Sequence, residues 1–263
     1  MTQAVAAPRI CEVCSSGERR LLLTFGGDEW SLAACENCGF VYLGRVPAYE
    51  ALVEDYAWER TSAATNQQRG KTLLGRISNA TRWRMKLGQM RDRVRRNRVL
   101  ATSGNVLDIG CGGGCRVPAG PTPYGIEISK ALADRAGPHF KARGGHVFHG
   151  AAVDGLDAFA DGFFSAILMR SYLEHESQPR LALERAFAKL APGGRVYVRV
   201  PNFGGLNRRI MGAQWCGFRF PDHVNYFTGT SLRRLAGQAG FRYRRLNGYS
   251  IFGDNLIVEL RKP

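Results

Sequence analysis

Apolar and polar segments alternate along the second half of the chain in a way that predicts strands and helices in turn. Short apolar runs predict strands at 106–109, 124–128, 146–148, 164–169 and 196–200, and two more near 241–246 and 256–260. Helical segments lie between them; Ser129 is placed to cap one, and Pro192-Gly193-Gly194 ends a later one. Strands that alternate with helices predict an α/β fold built on a doubly wound parallel sheet.

The stretch before these strands has helical periodicity. From about Pro47 to Arg98, apolar residues recur at steps of three and four: Leu73, Ile77, Ala80, Trp83, Leu87, Met90 and Val94. We expect this apolar stripe to dock on a core, with the basic residues of the other faces turned to solvent or substrate. The pattern divides the chain into residues 1–46, a helical and basic cover at 47–102, and an α/β domain at 103–263.

The composition is that of a globular protein with room for one main domain and a smaller module. Of the 263 residues, 44% are hydrophobic and 22% charged, which excludes a largely disordered, collagen-like or coiled-coil chain. No apolar run approaches the roughly 20 residues that a membrane span needs. The first ten residues lack the charged start and apolar run of a secretory signal. We therefore expect a cytoplasmic protein without a membrane span.

Positive charge is concentrated in one segment. The chain carries 37 basic and 22 acidic residues, a formal net charge of +15, and residues 69–98 contain eleven Lys or Arg against one acid, Asp92. Such a segment suits a polyanion such as nucleic acid, or a phosphorylated small substrate. A basic helix face that meets only solvent fits equally well, so the charge alone leaves the partner open.

Four of the seven cysteines form two pairs, Cys11-x-x-Cys14 and Cys35-x-x-Cys38. Two-residue spacers let both thiolates of a pair bind one ion, and two pairs complete a tetrahedral sulfur site. In an intracellular chain this pattern indicates a zinc ribbon in preference to disulfides, with iron as the alternative ion. Because all four positions are cysteine, we expect the zinc to be structural.

A glycine-rich turn follows the first strand of the α/β domain, in the segment VLDIGCGGG at 106–114. Glycines at such a turn let the backbone approach a ligand closely. Asp108 would be unfavourable beside a pyrophosphate and suits a cationic or amino-bearing ligand. Glu127, at the end of the second strand, is placed to accept hydrogen bonds from ribose hydroxyls.

These segments, with YGIEIS and LAPGGRVYVRVPN, resemble the class I S-adenosylmethionine (SAM)-dependent methyltransferases over about residues 104–245. The resemblance implies a Rossmann-like, doubly wound sheet of seven strands that binds SAM. Gly110 and Gly112 would then line its methionine end and Asp108 would support its ammonium or the loop. Glu127 would bind the ribose and Ile128 would pack on the adenine. Arg170, Ser171 and Tyr172 would close the pocket.

Two departures from that family stand out. The span from Cys115 to Pro123 is too short and too rich in proline for the usual helix after the glycine turn, so only a turn is expected. Many relatives also place Asp after the third strand to meet the adenine amine. Here the backbone of Ala151 and Ala152, or Asp154, would serve instead.

A zinc ribbon followed by a helical cover and a methyltransferase domain is similar to the deoxysugar C-methyltransferases and related enzymes of natural-product pathways. Their catalytic Glu-His-Leu-Ser-Tyr-Phe segment is matched here by residues 222–227. The resemblance implies His223 as general base, Asp222 as the residue that orients it, and Tyr226 in the acceptor site. Phe220 stands where that group has tyrosine, so O-methylation is as compatible as C-methylation.

The other candidate at the same edge is the Glu174-His175 pair after the fourth strand. Small-RNA 2′-O-methyltransferases hold a divalent ion with Glu-x-x-Glu-His and a later histidine. Ser171 stands at the first acid here, so Glu174, His175 and His223 form an incomplete set and the sequence favours a reaction without a catalytic metal. His175 is therefore expected to act beside His223 or to hold the loop.

Two function classes follow. In the first, the enzyme methylates a small molecule, such as an anionic or sugar-containing biosynthetic intermediate. In the second, it methylates RNA and uses residues 69–98 to bind phosphates. RNA guanine methyltransferases also begin with a zinc module, but theirs usually mixes Cys with His and they lack a segment like HVNYFT. That difference favours the small-molecule acceptor, while the acceptor's identity and the oligomeric state stay open.

Overall fold

The computed structural model describes residues 9–25, 30–46, 82–248 and 254–263. Within them the N-terminal module is a small antiparallel sheet of strands β1 (Arg19–Phe25), β2 (Trp30–Cys35) and β3 (Val41–Leu43). The predicted hairpin between the cysteine pairs is present. Its expected glycine tip, Gly26-Gly27, lies outside the described residues. The hairpin places the second cysteine pair beside the first.

The α/β domain begins after helix α1 (Arg82–Val99). Its further elements in chain order are β4 (Asn105–Ile109), β5 (Thr122–Glu127), α2 (Lys130–Lys141), β6 (Val147–His149), α3 (Ala152–Asp157), β7 (Phe164–Arg170), α4 (Pro179–Lys189), β8 (Leu190–Pro201), α5 (Leu206–Met211), a 3₁₀ turn (Gly212–Gln214), β9 (Asn225–Tyr226), α6 (Gly229–Gln238), β10 (Arg242–Arg245) and β11 (Asn255–Arg261).

The main sheet has seven strands in the order β10-β11-β8-β7-β4-β5-β6. Strands β4 to β8 pair in parallel, whereas β11 runs antiparallel to β8 and to β10. The predicted seven-stranded, doubly wound fold is confirmed. The order reverses at β4 and β7, so the carboxyl ends of these two strands flank the crevice in which such sheets bind ligands.

Most strand boundaries differ from the sequence prediction by a residue or two, but β8 begins six residues before its predicted start at 196. The strand expected at 146–148 is β6, Val147–His149. Strand β8 starts at Leu190, and the predicted Pro-Gly-Gly turn forms an irregularity within it, between the pairs Phe164–Leu190 and Ala166–Arg195. Helix α6 begins at Gly229 because Thr228 and Ser231 exchange capping hydrogen bonds of 2.9 and 3.1 Å.

The apolar stripe predicted for the basic helix does not face the core in its described part. Met90 and Val94 are 64% and 60% exposed, whereas Asp92 and Val99 are buried. Asp92 accepts a hydrogen bond from the Tyr197 hydroxyl and lies near two guanidinium groups of the sheet, those of Arg170 and Arg199. Because charged partners line this sheet face, the helix turns its one acid inward. The earlier stripe residues, 73–80, lie outside the described residues.

No helix among the described residues is both long enough and apolar enough to cross a bilayer.

Candidate functional site

The glycine turn leaves β4 at the carboxyl edge of the sheet. Gly110 and Gly112 adopt φ angles of +67° and +64°, which disfavour any side chain. A Cβ at Gly112 would also lie 3.2 Å from the Arg116 guanidinium. The two glycines predicted to line the cofactor thus have the conformation of a turn shaped for close approach of a ligand.

Glu127 ties this turn to the next strand. Its Oε2 accepts the Gly112 N–H at 2.7 Å, and its Oε1 accepts the Ser129 N–H at 3.0 Å. The carboxylate therefore bridges the glycine turn and the start of α2. Each oxygen keeps a second lone pair, so this bridging role is compatible with the predicted bond to ribose hydroxyls.

Asp108 is fully buried at the base of the turn. Neither carboxylate oxygen has a well-formed hydrogen bond among the described residues: Arg116 Nη1 lies 3.8 Å away, and the Arg116 backbone N–H offers only partial compensation. Burial raises the pKa of Asp108 to about 6, against the effect of Arg116. A buried carboxylate without donors is costly unless a ligand supplies them. The ammonium group of SAM fits this need.

The shortened segment after the glycine turn contains no helix, as predicted. Arg143 holds it in place: its guanidinium donates to the carbonyls of Val117 at 2.8 Å and Pro121 at 3.1 Å, and also to Pro118. One half-buried cation thus ties together a segment that has no helix.

The remaining predicted cofactor residues surround the same edge. Ile128 follows β5, and its carbonyl contacts the His149 ring at 3.1 Å. Ala151 and Ala152 begin α3 just after β6. Ser171, directly after β7, has an unusual φ of +54°. The Tyr172 hydroxyl donates to Glu176, so this side chain is tied to its own loop.

A polar cluster, here called the acceptor cluster, lies beyond β7 and consists of Glu174, His175, Asp222 and His223. The Glu174 carbonyl accepts the N–H groups of Val224 at 2.8 Å and Asn225 at 3.1 Å. The segment after β7 and the segment before β9 are thereby joined. The two imidazole rings meet edge to face with centroids 4.7 Å apart.

Within this cluster the predicted pairing of Asp222 with His223 is wrong. His175 Nδ1 lies 3.0 Å from Asp222 Oδ1 and 2.9 Å from its carbonyl oxygen, whereas His223 Nδ1 lies 2.8 Å from the Gly217 carbonyl. The turn that carries Asp222 and His223 points their side chains at different partners. Asp222 therefore positions His175, and it also lies 3.3 Å from Arg219 Nη2.

Burial and neighbouring charges give the His175 and His223 rings different pKa values. Burial lowers the pKa of His223, and the neighbouring His175 lowers it further, to about 3. Burial also lowers the pKa of His175, but Asp222 outweighs it and leaves that pKa above its usual value. Burial raises the pKa of Glu174. At neutral pH His223 is therefore uncharged.

Tyr226, predicted in the acceptor site, lies in an aromatic cluster. Its ring contacts those of Phe203, Phe218 and Phe220, with centroids 5.6–6.2 Å apart. The side chain is 2% exposed, and its hydroxyl has no hydrogen-bond partner among the described residues. The ring thus packs the wall behind the acceptor cluster.

The four predicted metal cysteines come together as one group whose sulfur atoms lie within 4.8 Å of one another. Cys11 and Cys38 are 3.4 Å apart at their sulfur atoms, as are Cys14 and Cys35. Burial raises the pKa of Cys14, but hydrogen bonds from the Ser16 backbone and from Cys35 outweigh it, so that pKa falls to about 7. Four converging thiols fit a tetrahedral zinc ion.

The N-terminal module is joined to the acceptor cluster by strand pairing. Strand β9 adds to the module as its fourth strand, with Val41 opposite Tyr226. Arg9 donates to the Val224 carbonyl at 3.0 Å and to Asn225 Oδ1 at 3.1 Å. Asn225 in turn donates to the carbonyls of Leu173 and Glu176. The module thus supports the segment that carries His223.

Sequence reasoning missed Arg9, Asn225 and Arg116. No short motif marks the first two, because their roles depend on contacts more than 45 residues away in the chain. Arg116 could have been found as the first cation after the glycine-rich segment at 106–114.

Comparisons with known proteins place this geometry in a family. The family model described as a methyltransferase domain matches residues 82–246. A ubiquinone biosynthesis O-methyltransferase of Aromatoleum aromaticum is 30% identical over 170 residues, which are 60% of this chain and 72% of that protein. The enzyme of the same name from Chromobacterium violaceum is 28% identical over 159 residues, 54% of this chain and 66% of that one.

Solved structures agree on the fold. A SAM-dependent methyltransferase of Archaeoglobus fulgidus superposes with a TM-score of 0.54 at 16% identity, over 66% of this chain and 94% of that one. A possible histamine N-methyltransferase of Thermotoga maritima gives 0.51 at 22% identity, over 65% and 88%. At these identities the likeness concerns the fold alone. The family match begins at α1 and leaves the cysteine module outside it.

Proposed function

This chain is a SAM-dependent methyltransferase that belongs to the methyltransferase domain family, and we propose that it methylates a hydroxyl oxygen of a small-molecule acceptor. The observation that carries the proposal is the acceptor cluster, which brings two imidazoles and two carboxylates to the carboxyl edge of the sheet. The relatives' own names, as O-methyltransferases, support the same acceptor atom.

The cofactor residues proposed are those that the resemblance to class I methyltransferases implies, and the geometry of the glycine turn supports the first of them. Asp108 would bind the ammonium, Gly110 and Gly112 would admit the methionine end, and Glu127 would accept from the ribose hydroxyls. Ile128, Ala151 and Ala152 would flank the adenine, with Arg170, Ser171 and Tyr172 at the neighbouring strand end. SAM supplies the electrophilic methyl group. The chain's task is to align the acceptor and to remove its proton.

The acceptor cluster would perform that proton removal. His175, whose pKa Asp222 holds above its usual value despite burial, is the better base, because a pKa of about 3 makes His223 a weak one; His223 would hold the acceptor's hydroxyl group through its unprotonated ring nitrogen. His175 is the more accessible ring: its side chain is 26% exposed, whereas His223 is 5% exposed. Tyr226 would close the rear of the site. The cysteine module would hold a structural zinc ion, since all four of its ligands are protein thiols.

The experiment is a turnover assay that follows S-adenosylhomocysteine with three acceptor classes: phenols, nucleotide-linked sugars, and tRNA or ribosomal RNA. We expect turnover with hydroxyl-bearing small molecules, loss of turnover in His175→Ala and His223→Ala, and normal turnover in His139→Ala, an exposed histidine of α2. Turnover with RNA alone would replace this proposal by the RNA alternative.

One observation keeps that alternative under test. Arg91, Arg93 and Arg98 lie on the exposed side of α1, where phosphates could reach them. RNA affinity should therefore be measured at low and at physiological salt. Binding that survives the higher salt would favour RNA, because affinity from phosphate contacts alone falls steeply with salt.

A further inference from the structure

Two arginines lie side by side where the central strands of the sheet end. Arg170 is the last residue of β7, and Arg199 is its register partner on β8. Both side chains lie on the face of the sheet that α1 covers, because both approach Asp92 of that helix. Like charges on paired positions of neighbouring strands are unfavourable unless negative charge lies close to both. Arg170 and Arg199 are here called the arginine pair.

Asp92 compensates the arginine pair only in part. Its Oδ2 lies 3.7 Å from Arg170 Nε and 4.0 Å from Arg199 Nε, and both distances are longer than a hydrogen bond. Its other oxygen accepts the hydroxyl of Tyr197. Arg170 Nε is buried and has no hydrogen-bond partner in the part of the chain that the structure describes. Within that part, one carboxylate beside two guanidinium groups leaves one positive charge uncompensated.

Neighbouring arginines add to the positive charge around the arginine pair. Burial lowers the pKa of Arg170, and Arg199 and Arg116 lower it further. Arg96 of α1 acts in the same direction, whereas Asp92 opposes the effect. The side chains of Arg170 and Arg199 are 29% and 21% exposed, so a small anion can reach them from solvent. Such an anion would supply the missing negative charge.

The arginine pair is connected to the acceptor cluster. Ser171 begins the segment that carries Glu174 and His175, and its N–H donates to the Arg199 carbonyl at 2.9 Å. Burial raises the pKa of Glu174, and Arg199 is among the groups that oppose this rise. The pair and the cluster therefore lie at the same end of the ligand crevice.

The methionine carboxylate of SAM is another anion that could meet these arginines. The glycine turn that would receive the methionine end follows β4, and Arg116 donates there to the Gly110 carbonyl at 3.0 Å. Arg199 lies on β8, two strands away from β4, which is roughly 10 Å at the usual strand spacing. Arg116 is therefore better placed for the cofactor, and the arginine pair is better placed for the acceptor.

We propose that Arg170 and Arg199 bind a carboxylate group of the acceptor, so that the methylated hydroxyl group and a carboxylate belong to one small molecule. The single uncompensated charge matches a monoanion, and the planar guanidinium groups match the two oxygens of a carboxylate. The carboxylate would orient the acceptor while the acceptor cluster holds its hydroxyl group. The inference rests on the proposed function for the reaction, but binding of the anion is measurable without turnover.

The test compares hydroxybenzoates (ortho, meta and para) with the matching neutral hydroxybenzamides. Each is titrated by calorimetry into the full chain with zinc loaded and S-adenosylhomocysteine at saturation. We expect at least one carboxylate to bind about tenfold to a hundredfold more tightly than its amide, the scale of a charge-assisted hydrogen bond. Arg170→Gln and Arg199→Gln should each remove most of that preference.

Two further variants separate ligand binding from a purely structural role. Asp92→Asn keeps an oxygen for the Tyr197 hydroxyl and removes the competing charge, so it should increase the preference for the carboxylate. Arg195→Gln is the matched control, four residues before Arg199 on the same strand and opposite Ala166, and should bind as the parent does.

The affinity for S-adenosylhomocysteine distinguishes the two sources of the anion, since this product keeps the methionine carboxylate. We expect Arg199→Gln to change it by no more than a few-fold, which also shows that the variant is folded. Arg199→Lys, which keeps the charge but not the planar group, is the second variant and should lose part of the preference.

The inference is wrong if no hydroxybenzoate binds more tightly than its amide, or if the preference survives in both arginine variants. It is also wrong if Arg199→Gln loses S-adenosylhomocysteine while the saturated parent binds no hydroxybenzoate, because the cofactor's carboxylate would then be the ligand. Carboxylate binding without methyl transfer to any hydroxyl acceptor would uphold the arginine pair and overturn the proposed function. Turnover of neutral hydroxyl acceptors alone would do the reverse.

Discussion

The cysteine group and the acceptor cluster are two groups of ligand-type side chains that differ in how completely they are closed. The first presents four thiols, two from the turn before β1 and two from the turn between β2 and β3. The second presents two rings and a carboxylate on segments 48 residues apart, with one edge open to solvent. A closed set of ligands suits a structural ion, whereas an incomplete set at a strand end suits chemistry.

These two regions are joined by a strand of only two residues. Strand β9 pairs with β3 of the cysteine module, and it directly follows His223 and Val224. The module therefore acts on the site through backbone pairing and through Arg9. We therefore expect an ion bound by the four cysteines to influence turnover without touching the acceptor.

The largest expected effect comes from Cys35→Ser. Binding of structural zinc is worth about 10–16 kcal/mol in small zinc domains, so loss of a ligand should unfold the module and remove the partner of β9. We expect no bound zinc in the module and no measurable turnover, with SAM affinity within a few-fold of the parent. Metal analysis, calorimetry and the turnover assay check this.

Cys216→Ser is the control, because Cys216 lies outside the cysteine group; it should retain zinc. Normal turnover in zinc-free Cys35→Ser protein would show that the two regions are independent.

His223→Ala tests the open cluster itself. We expect turnover to fall by ~10²–10⁴, the usual scale for a group lost from a proton-transfer site, while SAM affinity changes by no more than a few-fold. Because the cysteine group is untouched, its zinc content should stay at one ion. Near-normal turnover would remove His223 from the mechanism.

Asp108→Asn tests the cofactor turn independently of the cysteine group and the acceptor cluster. A hydrogen bond between charged groups contributes about 1.5–3 kcal/mol, so SAM affinity should weaken roughly tenfold to a hundredfold in calorimetry. Asp154→Asn, in the first turn of α3, removes a charge elsewhere in the domain and should have little effect. An unchanged SAM affinity in Asp108→Asn would show that this carboxylate does not bind the cofactor.

The same residue predicts a pH dependence of stability without SAM. The folded pKa of Asp108, about 6, lies above its unfolded value of 3.8, so the folded state favours the protonated acid. Stability from this group is therefore complete below pH 3.8 and is lost as the pH rises through 6, by an amount on the order of 3 kcal/mol. Denaturant unfolding of parent and Asp108→Asn protein should show a smaller loss in the variant.

The smallest effect is expected for Asn225→Ala, which loosens the connection between the regions. It leaves the Leu173 and Glu176 carbonyls without their side-chain donor, at about 1–3 kcal/mol. Urea unfolding should show that loss of stability, and turnover should fall only a few-fold. Asn97→Ala, which removes a contact local to α1, should be nearly neutral. Equal stabilities of the two variants would show that Asn225 does not join the regions.

Much of the fold could be predicted because its signals are local. The order of strands and helices follows from short apolar runs, and the shortened turn after Gly114 follows from its prolines. The sequence could not predict which side of α1 packs against the sheet. Met90 and Val94 have the spacing of a docking stripe, but so would any apolar pair at that spacing. Only the guanidinium groups of the sheet explain why Asp92 is the buried residue.

Residue types and their spacing were enough to predict the local parts of each site: the paired cysteines, the glycine turn with Asp108, and the identity of the side chains at the sheet edge. Their spacing along the chain already contains that information. The folded chain was needed to show that Asp222 pairs with His175, that His223 turns to Gly217, and that β9 joins the cysteine module. These contacts form where loops that are distant in the chain meet, and the spacing of residues along the chain does not show which loops meet.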